Sequence, residues 1–245
     1  NGTQVAATDT INIRGSQKSA VDFSGITHFF VPALLDIRAY GAIGAQEASD
    51  TGVSVAAARA ANNAALQAAV NDVTNLGVGS RRVYIPAGRV AGGYGEAYEF
   101  DQTITFDSNT TITTEHEEPV GARLLYYGAA NTDAFAPSAQ YRSYFTMAGV
   151  RLEDKRGSAA ATGTGVGVNT DYVTNGTHIE NCYISGFYRN ITALQSDMVR
   201  IFGGWVAMAY DAPIYLDQLG NFNVVRDLGM EQLASYPTQR ALIHV

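Results

Sequence analysis

Cysteine, lysine, tryptophan and long apolar runs are all scarce in this chain, and each shortage removes a class of answers. A single cysteine, Cys182, cannot build an intramolecular disulfide framework, so packing or association must hold the fold. The same shortage leaves the compartment open. Only two lysines accompany 14 arginines, and 16 cations stand against 23 acids for a net charge of −7. Without a basic cluster there is no footing on a phosphate backbone, so no nucleic-acid partner is expected. The longest apolar run, Phe29 to Leu35, is broken by Pro32 and is far too short to span a bilayer, so no membrane insertion is expected. No signal peptide is visible and the first residue is not Met, which reads as a processed or partial polypeptide. Charged residues make up only 16% against 46% apolar, a balance that excludes wholesale disorder.

What is abundant points to β-structure. Gly (25) and Thr (21) are plentiful and helical periodicity is rare. At about 150 residues per domain, 245 residues make one large core or one elongated repeat array. Residues 1–30 hold no sustained period and read as an arm or linker, and 31–245 as the folded unit. One helix is expected over about 53–76, because Leu66, Val70 and Val73 share a face; Ser54 or Asn62 is its candidate cap, and Gly77 or Gly79 its stop. Arg81–Gly88 then reads as a strand ended by Pro86.

From Phe100 onward short strand-like segments follow one another, among them Thr110–Thr114, Tyr144–Leu152, His178–Ile184, Met198–Phe202, Asn223–Leu228 and Ala241–Val245. Val or Ile recurs at 150, 179, 199 and 225, which suits a solenoid with a rung of roughly 20–30 residues and variable loops. The last segment lacks a polar cap, so the array is expected to continue past Val245.

Three motifs in order then carry a family resemblance: Asp36-Ile-Arg-Ala-Tyr-Gly-Ala-Ile-Gly44, Asn62-Asn-Ala-Ala-Leu-Gln-Ala-Ala-Val70 and Arg82-Val-Tyr-Ile-Pro-Ala-Gly88. The series resembles the opening of the pectate-lyase-like superfamily, found in phage tailspikes, polysaccharide depolymerases and polygalacturonase-like enzymes. It departs from that opening at Ala45-Gln-Glu and Ala61-Asn-Asn63, which stand where Gly-Asp-Gly and Asp-Asp-Thr are usual. An insertion, Arg89–Ala97, also delays Tyr98-Glu-Phe100. The resemblance implies an all-β, right-handed parallel β-helix with an N-terminal capping α-helix. Physically, an amphipathic helix laid over the first rung would cover its raw edge, with Gln67 and Asn71 offering polar atoms.

The resemblance also implies a function: a phage tailspike- or tail-fibre-like virion protein, extracellular, that binds host surface polysaccharide. Homotrimers and attachment to other tail proteins through the N-terminal arm are implied too. The alternatives are a non-catalytic structural adhesin or virion component, and a secreted polysaccharide hydrolase or lyase. No catalytic motif stands out, so enzymatic activity stays open. Glycosidases need paired carboxylates, and the acids on or beside strand-like segments supply the candidates Glu180, Asp197, Asp227 and Glu231. Glu153 and Asp154 are further acids of this kind. For any one of them a solvated face or a turn residue is the default reading.

Arg151, Arg200 and Arg226 each follow a Val and would line one face if their segments stack, a fit for an acidic glycan, although outward arginines that solubilise a sheet are the default reading. Tyr188 and Trp205 are candidate sugar-stacking rings near turns, with core packing the default for any single ring. His178 and Glu180 share a strand face and read as a hydrogen-bonded pair. Glu115-His-Glu-Glu118 lacks metal-ligand spacing and reads as a solvated turn, so neither metal nor cofactor is expected. Gly163–Gly167 lacks the lysine of a phosphate loop, and Cys182 reads as a core residue.

Overall fold

The architecture is taken from a computed structural model that describes residues 34–75, 82–87, 96–114, 122–231 and 243–244. The expected arm, the Glu115–Glu118 turn, residues 88–95 of the insertion and the glycines expected to stop the helix lie outside them. In chain order the elements are β1 (Leu34–Asp36), α1 (Ala45–Thr51), α2 (Val55–Asn75), β2 (Arg82–Ile85), β3 (Ala97–Phe100), β4 (Ile104–Phe106), β5 (Thr110–Thr114), β6 (Arg123–Tyr126) and β7 (Phe135–Pro137). They continue as β8 (Ser143–Ala148), β9 (Arg151–Asp154), α3 (Ser158–Thr162), β10 (Val166–Asn169), β11 (Thr174–Ser185), β12 (Arg189–Leu194), β13 (Val199–Ala207), β14 (Ala212–Asp217), β15 (Val224–Arg226), β16 (Gly229–Glu231) and β17 (Ile243–His244). The fold is mostly β, with parallel sheets and few helices.

The strands recur in threes. The first face is β1-β2-β5-β8, continued by the N-terminal halves of β11 and β13 and by β15. The second is β3-β6-β9, continued by the C-terminal halves of β11 and β13 and by β16. The third is a separate sheet, β4-β7-β10-β12-β14-β17. On the first face Val83, Ile112, Met147, Ile179, Ile201 and Val225 stand in register, at steps of 29, 35, 32, 22 and 24 residues. That register corrects the expected one. Val199 pairs with Thr177 rather than stacking beneath Ile179, and Val150 lies beyond the first-face strand, at the corner. Loops of unequal length had hidden the shift.

Alternation fills the interior. Val83, Ile112, Met147, Ile179 and Ile201 are buried from the first face, Leu124, Leu152, Ile184 and Val206 from the second, and Ile104, Phe135, Val168, Ile191 and Ile214 from the third. Cys182 belongs to this core, where burial pushes its thiol up to about 12 and leaves it inert. The corner between the first two faces holds a left-handed residue in four successive turns: Gly149, Asn181, Gly203 and Asp227, at φ 70, 50, 65 and 53°, with Gly204 adding a second at 77° in the third. Gly, Asn and Asp enter that region most readily, which explains their recurrence there.

Helix α2 lies against the first turn of strands. Ser54 Oγ accepts the Ala57 N–H and caps it, while Ala58, Ala65, Leu66, Ala69, Val70 and Val73 are buried. Its polar side chains occupy backbone groups that the first strands leave open. Gln67 takes the Thr105 N–H and donates to the Thr105 carbonyl (2.9 and 2.8 Å), and Asn62 donates to the Glu99 carbonyl (2.8 Å). Asn63 accepts from the N–H groups of Asp101 and Gln102. An edge so occupied is closed to strand addition. The short helix α1 falls in the Ala-rich stretch that departs from the family opening.

Candidate functional site

The register decides which of the expected residues share a surface. On the second face, Arg123, Arg151, Tyr183, Trp205 and Gly229 stand opposite one another in five successive strands. Neighbouring strands lie about 4.8 Å apart, so this is a continuous outward strip. The Arg151 guanidinium lies 4.4 Å from the centroid of the Tyr183 ring. Trp205 is 41% exposed, and its ring covers Gly229, where a Cβ would come within 2.1 Å of it. Gly229 therefore makes the ledge on which the indole rests.

One carboxylate holds the cationic end of the strip. Glu153, itself buried, accepts from Arg151 Nε (2.6 Å), Arg123 Nε (3.1 Å) and Lys155 Nζ (2.6 Å). Burial alone would raise its pKa, but Lys155 and Arg151 outweigh that and bring it down to about 2. Glu153 is thus a fixed anion that positions three cations, and it is unsuited to donating a proton at neutral pH.

Arg200 and Arg226 lie on the first face, away from Arg151, so the three arginines do not form the single row expected of them. Register also separates the pair: Arg200 faces Val224, whereas Arg226 faces Phe202. Arg200 stands in register with His178, and Glu180 with Phe202. Burial and the nearby Arg200 charge lower the His178 pKa, while Glu180 acts to raise it. No hydrogen bond between His178 and Glu180 is found among the described residues. Tyr188 lies between the second and third faces, 5.7 Å from the Arg189 guanidinium, which pairs with Asp211 at 2.7 Å and lies 3.7 Å over Tyr215.

The four acids expected to supply chemistry are dispersed. Glu180 ends the first-face half of β11, and Glu231 ends β16 on the second face. Asp227 is the left-handed corner residue between those faces, exposed and 3.6 Å from Arg226. Asp197 sits where the third face passes to the first, pressed against Gly220.

Two further acids, Asp133 and Asp171, flank Asn169 on the third sheet. Asn169 Nδ2 donates to Asp133 Oδ2 (2.8 Å), and Asn169 Oδ1 accepts the Asp171 N–H (2.9 Å). Asp133 also accepts from the Val166 N–H, and Asp171 from the Leu194 N–H. Burial raises the pKa of both, and the Asp133 charge adds to the rise at Asp171. The sequence carries a trace of them: the tripeptide Asn-Thr-Asp occurs twice, at 131–133 and 169–171. Asp133 precedes β7 and Asp171 follows β10, so only the sheet pairing shows that both lie beside Asn169.

Among the described residues no group of three or more His, Cys, Asp or Glu side chains is placed to hold a metal ion. No helix among them is long and apolar enough to cross a membrane.

No family model and no curated protein matches this chain. The solved structure of ORF18 from Geobacillus virus E2 is similar over 81% of this chain, at 14% identity and a TM-score of 0.41. The matched part spans 41% of that viral chain.

Proposed function

We propose that this chain is part of a phage tailspike- or tail-fibre-like protein that binds host surface polysaccharide. The observation that carries the reading is the second-face strip, in which an exposed indole, a tyrosine ring and two clamped arginines follow one another at strand spacing. Aromatic faces stack on the C–H surfaces of sugars, and a guanidinium answers a carboxylate or a hydroxyl. The strip is preorganised, because Glu153 fixes Arg123 and Arg151 before any ligand arrives. On this reading the fold is a right-handed parallel β-helix. The threefold strand recurrence supports it, as does the strong right-handed bias of crossovers between parallel strands. A virion-tail location, a homotrimer and attachment through the N-terminal arm belong to the same proposal and rest on the sequence resemblance.

Trp205 is the single tryptophan, so its fluorescence reports directly on the strip. Titration with capsular and cell-wall polysaccharides is expected to change its emission saturably, and W205A is expected to weaken retention on the same polymer at least ten-fold. Unchanged emission with every polymer, or full binding by W205A, refutes the strip.

One observation favours cleavage as well as binding. Asp133 and Asp171 flank Asn169, which donates to the Asp133 carboxylate and accepts the Asp171 backbone N–H; burial raises the pKa of both, and hydrolysis would use one protonated as the acid with the other ionised as its partner. Oligosaccharide release by the intact chain, abolished in D133N and in D171N while Trp205 emission still responds, is the expected result. Release that survives both substitutions removes the pair, and binding without release leaves the protein an adhesin.

A further inference from the structure

The corner where the third face passes back to the first carries bulky residues in the left-handed region, turn after turn. They are Tyr141 and Tyr144, then Tyr172, then Gln195 and Met198, at φ between 49 and 61°. Asn occupies such positions with less strain, as Asn109 and Asn175 do along this same corner. The tyrosines are nevertheless there, and they present their rings outward. Tyr141 is 66% and Tyr144 55% exposed; Tyr141 and Tyr172 meet edge to face with centroids 6.2 Å apart. The Tyr144 ring covers Gly176, where a Cβ would come within 3.4 Å of it.

Their hydroxyls are uncommitted. Tyr126, Tyr127, Tyr210 and Tyr215 each hydrogen-bond a protein group, whereas those of Tyr141, Tyr144 and Tyr172 have no partner among the described residues. The surrounding groups are hydroxyls and amides. Asn175 Nδ2 donates to Ser143 Oγ (3.3 Å), and Gln195 Nε2 to Gln218 Oε1 (2.6 Å). The charged groups along it are Arg142, paired with Asp107 at 3.0 Å, Asp171, whose carboxylate accepts the Leu194 N–H at 2.9 Å, and Asp197, which lies against Gly220.

We propose that this corner is a second carbohydrate-contact line, distinct from the Trp205 strip and suited to uncharged sugar units. The inference rests on the reading that the chain binds polysaccharide. Exposed rings with free hydroxyls, set among amides, match a ligand that is apolar on its C–H faces and hydroxylated at its edges. Tyrosine rings have only two χ angles to lose on contact, and at about 4.8 Å per strand three turns reach more than one sugar ring.

The test is retention of the whole chain in native gels cast with dextran, mannan or galactan, or with alginate as an acidic polymer, each at low and high salt. Wild type is compared with W205A and with the double variant Tyr141→Asn/Tyr172→Asn, in which Asn preserves the left-handed backbone while removing both rings. The expected result is retention on at least one uncharged polymer, weakened ten-fold or more in the double variant at both salt levels, with the melting temperature and the Trp205 response to alginate unchanged. Wild-type retention on none of the uncharged polymers overturns the proposal, as does unaltered retention of the double variant. Loss in the double variant alone, on alginate as well as on the uncharged polymers, upholds the corner and refutes the Trp205 strip, whereas loss in W205A alone on every polymer that retains the wild type does the reverse.

Discussion

Replacing Arg156 with methionine is expected to destabilise the fold severely. The Arg156 side chain is 3% exposed and that of its partner, Asp154, 0%. The guanidinium donates from Nε to both Asp154 oxygens (3.0 and 2.8 Å) and from Nη1 to the Ala130 and Thr132 carbonyls (3.2 and 3.0 Å). It also lies 5.0 and 5.5 Å from the Tyr126 and Phe187 centroids. Methionine retains the apolar stem but leaves the Asp154 charge with only the backbone N–H of residue 156. Breaking one side of a buried pair costs about 3–5 kcal/mol, and for a chain of this size each kcal/mol moves Tm by about 2–4 °C. The expected loss is therefore roughly 6–20 °C, followed by circular dichroism on heating, with hydrogen exchange to show whether the turns open together. D154L/R156M removes the stranded charge and should recover at least half of the loss, because a buried pair replaced by apolar groups is often near neutral. A change below about 3 °C in R156M, or a double variant no better than the single, refutes the reasoning.

Two further predictions concern pH. Glu153 has its folded pKa depressed to about 2, so its contribution is present above the unfolded value and is lost as pH falls from about 4.5 toward 2. E153Q should cost about 2–3 kcal/mol at pH 7, allowing for solvent screening at Arg151 and Lys155, and should flatten acid unfolding in that window. Urea unfolding at stepped pH measures both, and an unchanged acid limb would count against the cation clamp. His178 also has its folded pKa lowered, so stability falls as pH drops through the unfolded value near 6.5 and toward the folded one. R200A should raise the His178 pKa and E180Q should lower it further, read by NMR titration of the imidazole; the opposite order would contradict the placement of those charges.

How far the sequence reached follows from which signals are local. Alternation in Arg82–Ile85 and Thr110–Thr114, and the shared face of Leu66, Val70 and Val73, are local, and strands and a helix lie there. Register is not local. Val150, Ile179, Val199 and Val225 look equivalent along the chain, yet Val199 pairs with Thr177 and only Val225 stands in the row of Ile179 and Ile201. The slip matters most for the arginines. All three follow a valine, but two residues separate the row of Arg200 from that of Arg226, and Arg151 lies around the corner on the next face.

The site residues show the same limit from the other side. Asp227 looked chemical because it is an acid in a strand-rich stretch, whereas its φ of 53° gives it the corner duty performed by Gly149, Asn181 and Gly203 in earlier turns. Asp133 and Asp171 carry no local signal, since each lies just outside a strand, 38 residues apart, and what links them is Asn169 and the parallel pairing of Val168 with Phe135. A parallel repeat builds its outer surface from one residue per turn, so a functional row is spread through the sequence at intervals set by loop length. Arg123, Arg151, Tyr183 and Trp205, at steps of 28, 32 and 22 residues, form such a row. Residue types could nominate Arg151 and Trp205 separately, but only the hydrogen-bonded ladder places Tyr183 between them and Glu153 beside them. The unit of recognition in this fold is accordingly the column, and a substitution such as W205A tests a column rather than a motif.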